Sequence, residues 1–213
     1  MSDPSQPAGW VVVVPVRPAG KSRLAASPEF ARAIALDTIE AALAARSVAE
    51  VVVPTADAVL ASELHGFAPR AAGSRGAALR VVVEADAAGI SAAIARALEG
   101  VGVGAARAVL LGDVPALRPD DLDAALALAA SHDRAFVRDV EGDGTTLVTA
   151  SGGCDLRSAF GVDSAAHHAA LGLADLAVPA ASTLRRDVDT PAQLAAAAEL
   201  GLGPRTRAVL AAG

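Results

Sequence analysis

The chain has no tyrosine, and aromatic residues make up only 2% of its 213 positions. A platform for single-stranded nucleic acid stacks bases on aromatic rings, so that role is set aside. Positive charge is also short. Lys and Arg together number 18 against 24 Asp and Glu, a net charge of −6, and the basic footprint of a nucleic-acid binder is missing. A single cysteine, Cys154, excludes an internal disulfide framework and fits a reducing compartment. Placed near a loop, it reads as a small apolar residue rather than a nucleophile. No run of 18 apolar residues occurs, so no membrane span is expected. The first residues lack the basic-then-apolar layout of a signal peptide, and the chain reads as cytoplasmic.

Apolar residues are what the chain has in plenty. They make up 53% of it, and the mean hydropathy is +0.44, which allows the large core of one substantial α/β domain. Much of this content is alanine, which favours helices but packs thinly. Residues 1–9, polar and carrying Pro4 and Pro7, read as a flexible tail. With no linker and no repeat after them, residues 10–213 read as one domain.

Residues 10–16 form a short, continuous, Val-rich run, which suits a strand buried on both faces. Ser27-Pro28 predicts a helix start with Pro at its first position, and Leu36, Ile39 and Leu43 follow at helical spacing. The alternation continues, with strands over 51–53, 79–83 and 108–111 and helices over 57–64, 90–98 and 120–130. Further strands are expected over 135–137, 146–149 and 176–178, and a helix over 165–171. Thr190, Pro191 and Gln193 predict a capped helix entrance, with Gly201 as that helix's stop. Strands alternating with helices argue for a mostly parallel central sheet with helices on both faces, a Rossmann-like arrangement.

Four clusters could carry chemistry. Gly20-Lys21-Ser22-Arg23 follows the first strand, where open α/β sheets bind ligands. Its cations suit phosphates, although the spacing is not that of a P-loop. Leu111-Gly112-Asp113-Val114-Pro115 ends another strand with an acidic group fit for a cation or for capping the next turn. In Arg185-Arg186-Asp187-Val188-Asp189-Thr190-Pro191, an extended backbone turns Asp187 and Asp189 to one side. Like charges placed so repel unless a cation neutralises them; alternatively, Asp189 serves the helix that follows. Finally, Asp139 with 142–146, and 160–164, offer turns whose N–H groups can form anion nests. His167 and His168 follow these turns. They are expected to be partly exposed and to face different ways, so that they cannot share a metal and at most one touches substrate.

In this order the clusters resemble the 2-phospho-L-lactate guanylyltransferase family, with its phosphoenolpyruvate guanylyltransferase members, within the MobA-like nucleotidyltransferases. The resemblance covers 11–202. It rests on Lys21-Ser22-Arg23-Leu24, Gly112-Asp113-Val114-Pro115-Ala116-Leu117, Gly144-Thr145, Phe160-Gly161-Val162-Asp163-Ser164 with His167, and Asp187-Val188-Asp189-Thr190-Pro191. It implies a nucleotidyltransferase fold and a step of coenzyme F(420) biosynthesis. In that step GMP from GTP is joined to phosphoenolpyruvate or 2-phospho-L-lactate and pyrophosphate is released. By the same resemblance, Asp113, Asp187 and Asp189 bind the metal, Mg²⁺, and Asp113 is catalytic with Lys21 and Arg23 near the nucleotide phosphates. Thr145, Gly161 and Ser164 hold the carboxylate end of the acid. The sequence departs from the family at Arg17, where Lys is common, and at Gly89-Ile90-Ser91, where Gly-Leu-Asn is frequent. The expected partners are GTP and a phosphorylated three-carbon acid, with no nucleic acid and no membrane, and a homo-oligomer is compatible with the sequence. Two rival readings are a cytidylyl- or molybdopterin-directed transferase acting on another acceptor, and a nucleotide-binding regulatory protein with a relic site.

Overall fold

A computed structural model of the chain describes residues 9–16, 27–67, 76–85 and 89–212. Among the described residues seven strands form one sheet: β1 (Trp10–Val13), β2 (Val48–Thr55), β3 (Ala78–Val83), β4 (Arg107–Leu110), β5 (Arg134–Arg138), β6 (Thr145–Ala150) and β7 (Ala174–Asp175). Their order is β3-β2-β1-β4-β6-β5-β7. All pairings are parallel except those of β6, which runs antiparallel to both β4 and β5. The helices are α1 (Pro28–Ala44), α2 (Ala58–His65), α3 (Ile90–Leu98), α4 (Pro119–Ala129), α5 (Ser164–Ala170), α6 (Pro191–Leu200) and α7 (Pro204–Ala212).

Side-chain alternation along the strands explains why helices lie on both faces. Val12, Val14, Val51, Val53, Ala108 and Leu110 point one way and pack on Leu36 and Ile39 of α1, Leu60 of α2 and Leu122 of α4. Val11, Val13, Val52 and Val109 point the other way, onto Ile94 and Ala97 of α3. A strand buried on both faces has no polar positions, and β1 therefore reads Trp-Val-Val-Val. Phe136, Val148 and Ala165 join β5, β6 and α5 on this second face.

The first strand is shorter than its apolar run. Pro15 has no N–H for the ladder, and Val16 rejoins β2 only through an isolated bridge to Thr55. Ser27 caps α1 by accepting from Phe30 N at 3.1 Å, as the Ser-Pro pair predicts. The strand expected over 176–178 is instead β7, two residues earlier. There a bond of 2.7 Å from Val178 N to Leu176 O closes a tight i to i+2 turn, which ends the pairing with β5. The closing helix α7 has no counterpart in the sequence reading. Its first N–H groups are capped from a distance, by the buried carboxylate of Asp37 on α1, which accepts from Arg205 N at 3.1 Å and Thr206 N at 2.8 Å. Among the described residues no helix is long and apolar enough to cross a membrane.

Candidate active site

A cleft of about 810 Å³ opens along the carboxyl-terminal edge of the parallel strands, a size typical of small-molecule sites. The topology explains what lines it. Parallel strands β1, β4 and β5 end there, delivering Pro15 and Val16, then Leu111 to Asp113, then Asp139. Because β6 is reversed, its first residue, Thr145, arrives at the same edge. The segment after β6 adds residues 160–164, and the segment before α6 adds Asp187 and Asp189.

Asp187 and Asp189 flank Val188, which is wholly buried against Phe30, Ile34 and Ala116. With the middle side chain turned into the core, its two neighbours turn toward the cleft. A bond of 2.9 Å from Val188 N to Asp113 O ties this segment to the end of β4. The turn after Asp113 is also tied to α1, where the Thr38 hydroxyl accepts from Val114 N at 3.1 Å. Thr190 caps α6 as the sequence predicts, accepting from Gln193 N at 3.3 Å. The Gln193 side chain in turn accepts the N–H of Asp189 at 2.9 Å.

Asp139 is the acidic residue that the sequence reading placed only in a turn. Its carboxylate accepts from Gly142 N at 2.6 Å and Gly144 N at 2.9 Å. The anion nest expected over 142–146 is therefore filled by the protein's own anion. A Cβ on Gly144 would collide with that carboxylate, so glycine is required there. Burial raises the Asp139 carboxyl above its ordinary range, and Glu141 and Asp143 add repulsion against the two N–H bonds. Among the described residues, the carboxylates that converge within 4.8 Å of one another are Asp139, Glu141 and Asp187. This group shares only Asp187 with the trio expected from sequence. Asp113 and Asp189 nevertheless remain part of the cluster's field. Burial, and then Asp113, Asp139 and Asp189, push the Asp187 carboxyl up to about 8. Its Oδ1 is buried without a hydrogen-bond partner. Crowded carboxylates with a buried, unsatisfied oxygen are a donor set that a hard divalent cation such as Mg²⁺ suits.

The 160–164 segment sets the acidic Asp163 among otherwise neutral lining groups. Gly161 takes a φ of 142°, a backbone shape that side chains rarely adopt, and Val162 beside it is 80% exposed. Ser164 and Thr145 are buried. The two histidines do diverge, but His168 is not partly exposed. It is completely buried, while His167 faces solvent. Sequence alone did not separate them, because the side of α5 that meets β5 is decided by packing on Phe136. Ile90 lines the cleft, whereas Ser91 is exposed and is not part of the lining. Arg185 donates to the carbonyls of Asp139 at 2.7 Å and Val178 at 3.2 Å, so it braces the acidic loop and is not available to phosphates. Lys21 and Arg23 lie outside the described residues.

No family model matches the chain. Individual proteins do. A phosphoenolpyruvate guanylyltransferase from Sanguibacter keddieii is 46% identical across 94% of this chain and 84% of its own length. Namesakes from Thermomonospora curvata and Streptomyces coelicolor are each 43% identical across 95% of this chain, covering 89% and 96% of their own lengths. Among solved structures, the Rv0371c homologue from Mycobacterium sp. strain JC1 superposes with a TM-score of 0.56 at 18% identity, over 90% of this chain and 96% of that one. A nucleotidyl transferase from Methanothermobacter gives 0.53 at 15% identity, over 90% and 97%. These structures share the fold. The sequence likeness reaches further, because it runs nearly end to end at more than two positions in five: the chain belongs to the phosphoenolpyruvate guanylyltransferase family.

Proposed function

We propose that this protein joins GMP from GTP to phosphoenolpyruvate with release of pyrophosphate, as a cytoplasmic step of coenzyme F(420) biosynthesis. Residues 10–213 act as one nucleotidyltransferase domain in this reading, and residues 1–9 as a tail. The observation that carries it is the meeting of two unlike sets of groups in one cleft. A carboxylate cluster that is electrostatically unfinished shares the cleft with Thr145, Gly161 and Ser164, whose hydroxyl and backbone groups suit an organic acid.

An oxygen of the acid's phosphate attacks the α-phosphorus of GTP, and the bond to the departing pyrophosphate breaks. A phosphate is already ionised at neutral pH, so the site needs no strong general base. What the reaction requires is alignment for in-line attack and relief of repulsion between anions. Asp113, Asp187 and Asp189 would hold Mg²⁺, with Asp139 and Glu141 close enough to share the task. The ion supplies charge neutralisation at the phosphates. Thr145, Gly161 and Ser164 receive the carboxylate end of the acid, and Lys21 and Arg23 approach the nucleotide phosphates.

The test is pyrophosphate release from GTP, Mg²⁺ and phosphoenolpyruvate, with 2-phospho-L-lactate and CTP as substitutes. Phosphoenolpyruvate with GTP is expected to give the highest kcat/KM. A preference for CTP would move the reading to a cytidylyl-type enzyme. No release from any combination would end it.

A further inference from the structure

Thr145 and Arg138 face each other one residue out of phase with the rest of the β5–β6 ladder, in which Val137 pairs with Leu147. Thr146 is the extra residue of a β-bulge. A bulge re-aims the side chains beyond it, and this one turns Thr145 onto the face of Phe136 and Val148. There its Oγ1 lies 3.0 Å from Nδ1 of His168. The other ring nitrogen, Nε2, lies 2.8 Å from the backbone N of Ala159. The ring packs against Phe136, centroids 5.7 Å apart, and edge-on against Phe160 at 5.2 Å.

These contacts fix where the hydrogens are. A backbone N–H can only donate, so Nε2 must accept and carries no hydrogen. A neutral imidazole has one N–H, which is then on Nδ1, where Thr145 Oγ1 accepts it together with the backbone carbonyl of Ser164. With one lone pair committed to the ring, the threonine's own hydrogen is left to be donated elsewhere. An ionised carboxylate or phosphate oxygen has no hydrogen and needs such a donor. Had Thr145 given its hydrogen to the histidine, it would present only lone pairs to an anion.

We infer that His168 is a positioning residue for the acid substrate: its Nδ1–H sets the Thr145 hydroxyl as a donor to an anionic oxygen, while its Nε2 holds the 159–164 segment opposite. The inference rests on the reading of Thr145, Gly161 and Ser164 as the acid's site. Protonating the ring would set Nε2 against the Ala159 N–H, donor against donor. Burial, with His167 nearby, holds the His168 pKa down to about 4, in agreement with a ring that stays neutral.

The test combines kinetics and NMR. His168→Phe keeps a ring between Phe136 and Phe160 but removes both hydrogen bonds. Thr145→Val removes the hydroxyl. Each is expected to raise the KM for phosphoenolpyruvate by about 10- to 100-fold, the range for losing a hydrogen bond to a charged group, and to leave the KM for GTP within about twofold. The double variant should be no worse than the worse single by more than about twofold, because both remove one device. His168→Asn, which keeps a donor near Nδ1, should recover part of the loss. A purely structural histidine would raise both KM values together and give additive losses. In the unaltered protein, ¹⁵N NMR should show His168 as the neutral Nδ1–H form at pH 7, and this measurement stands even where a variant fails to fold. Additive losses, or a hydrogen on Nε2, overturn the His168 inference alone. Unaltered protein that releases no pyrophosphate with either acid overturns the reading of the site itself.

Discussion

The carboxylate cluster and the His168 network handle buried polarity in opposite ways. In the cluster Asp187 has a buried oxygen without a partner, and the carboxylates around it push its proton affinity up. His168, buried beside Thr145 and outside the lining, has both ring nitrogens bonded. A buried group left unsatisfied costs free energy, whereas a fully paired network specifies geometry. The carboxylate cluster thus waits for something to complete it, whereas the His168 network is complete and holds Thr145 in a prearranged position. The difference separates groups that bind by being incomplete from groups that orient by being finished.

The largest effect is expected where the carboxylate cluster is relieved. Asp187→Asn should lower kcat/KM about 10²–10³-fold, the scale for removing one preorganised electrostatic contact. It should also raise metal-free stability by about 1–2 kcal/mol, since crowded active-site charge opposes folding. Initial rates give the first effect, and thermal melts the second together with the lost metal response, because Mg²⁺ should stabilise the unaltered protein through binding and much less the variant. A variant that melts lower without metal and keeps its full Mg²⁺ response would break the comparison.

The His168 network should be weakened by acid. The His168 pKa is depressed in the folded state, about 4 against 6.5 unfolded. Both states are neutral above pH 6.5, so no penalty operates there. As pH falls from 6.5 toward 4 the unfolded chain gains a proton that the folded ring refuses, and stability drops by up to ~3 kcal/mol. Urea midpoints of the unaltered protein and His168→Phe, compared between pH 7 and 4.5, should converge by this amount. Parallel curves would show that the ring is not held neutral by the fold.

Gly144→Ala should cost about 1–3 kcal/mol, the usual penalty for forcing atoms into filled space, because its Cβ collides with Asp139. Denaturant unfolding measures it, and an unchanged midpoint would mean that the Asp139 loop yields easily. The smallest effect belongs to a pair solvated by water. Arg46 and Asp120 are 82% and 87% exposed, so Asp120→Asn should change stability by less than about 0.5 kcal/mol.

How legible each part was in the sequence depended on how local its cause is. The β1 valines, the Ser27 and Thr190 caps and the alternating strands are written in neighbouring residues, and the elements appear where those signals stand. Asp113, Asp187 and Asp189 stood out because Gly, Pro and extended spacing mark them. Asp139 did not, since an Asp followed by Gly142 and Gly144 looks like any turn until the reversed β6 brings it beside Asp187. The helix α7 was missed for a related reason: its cap is Asp37, more than 160 residues away in the chain.

By itself the sequence determined the α/β alternation, the family resemblance and the chemical character of the cleft, because hydrophobic period and residue type act over a few positions. The tertiary structure alone decided which carboxylates converge and which histidine is buried. It also decided which hydrogen Thr145 has left to donate. These outcomes depend on one reversed strand and one bulge, and both set distances between residues that the chain holds far apart.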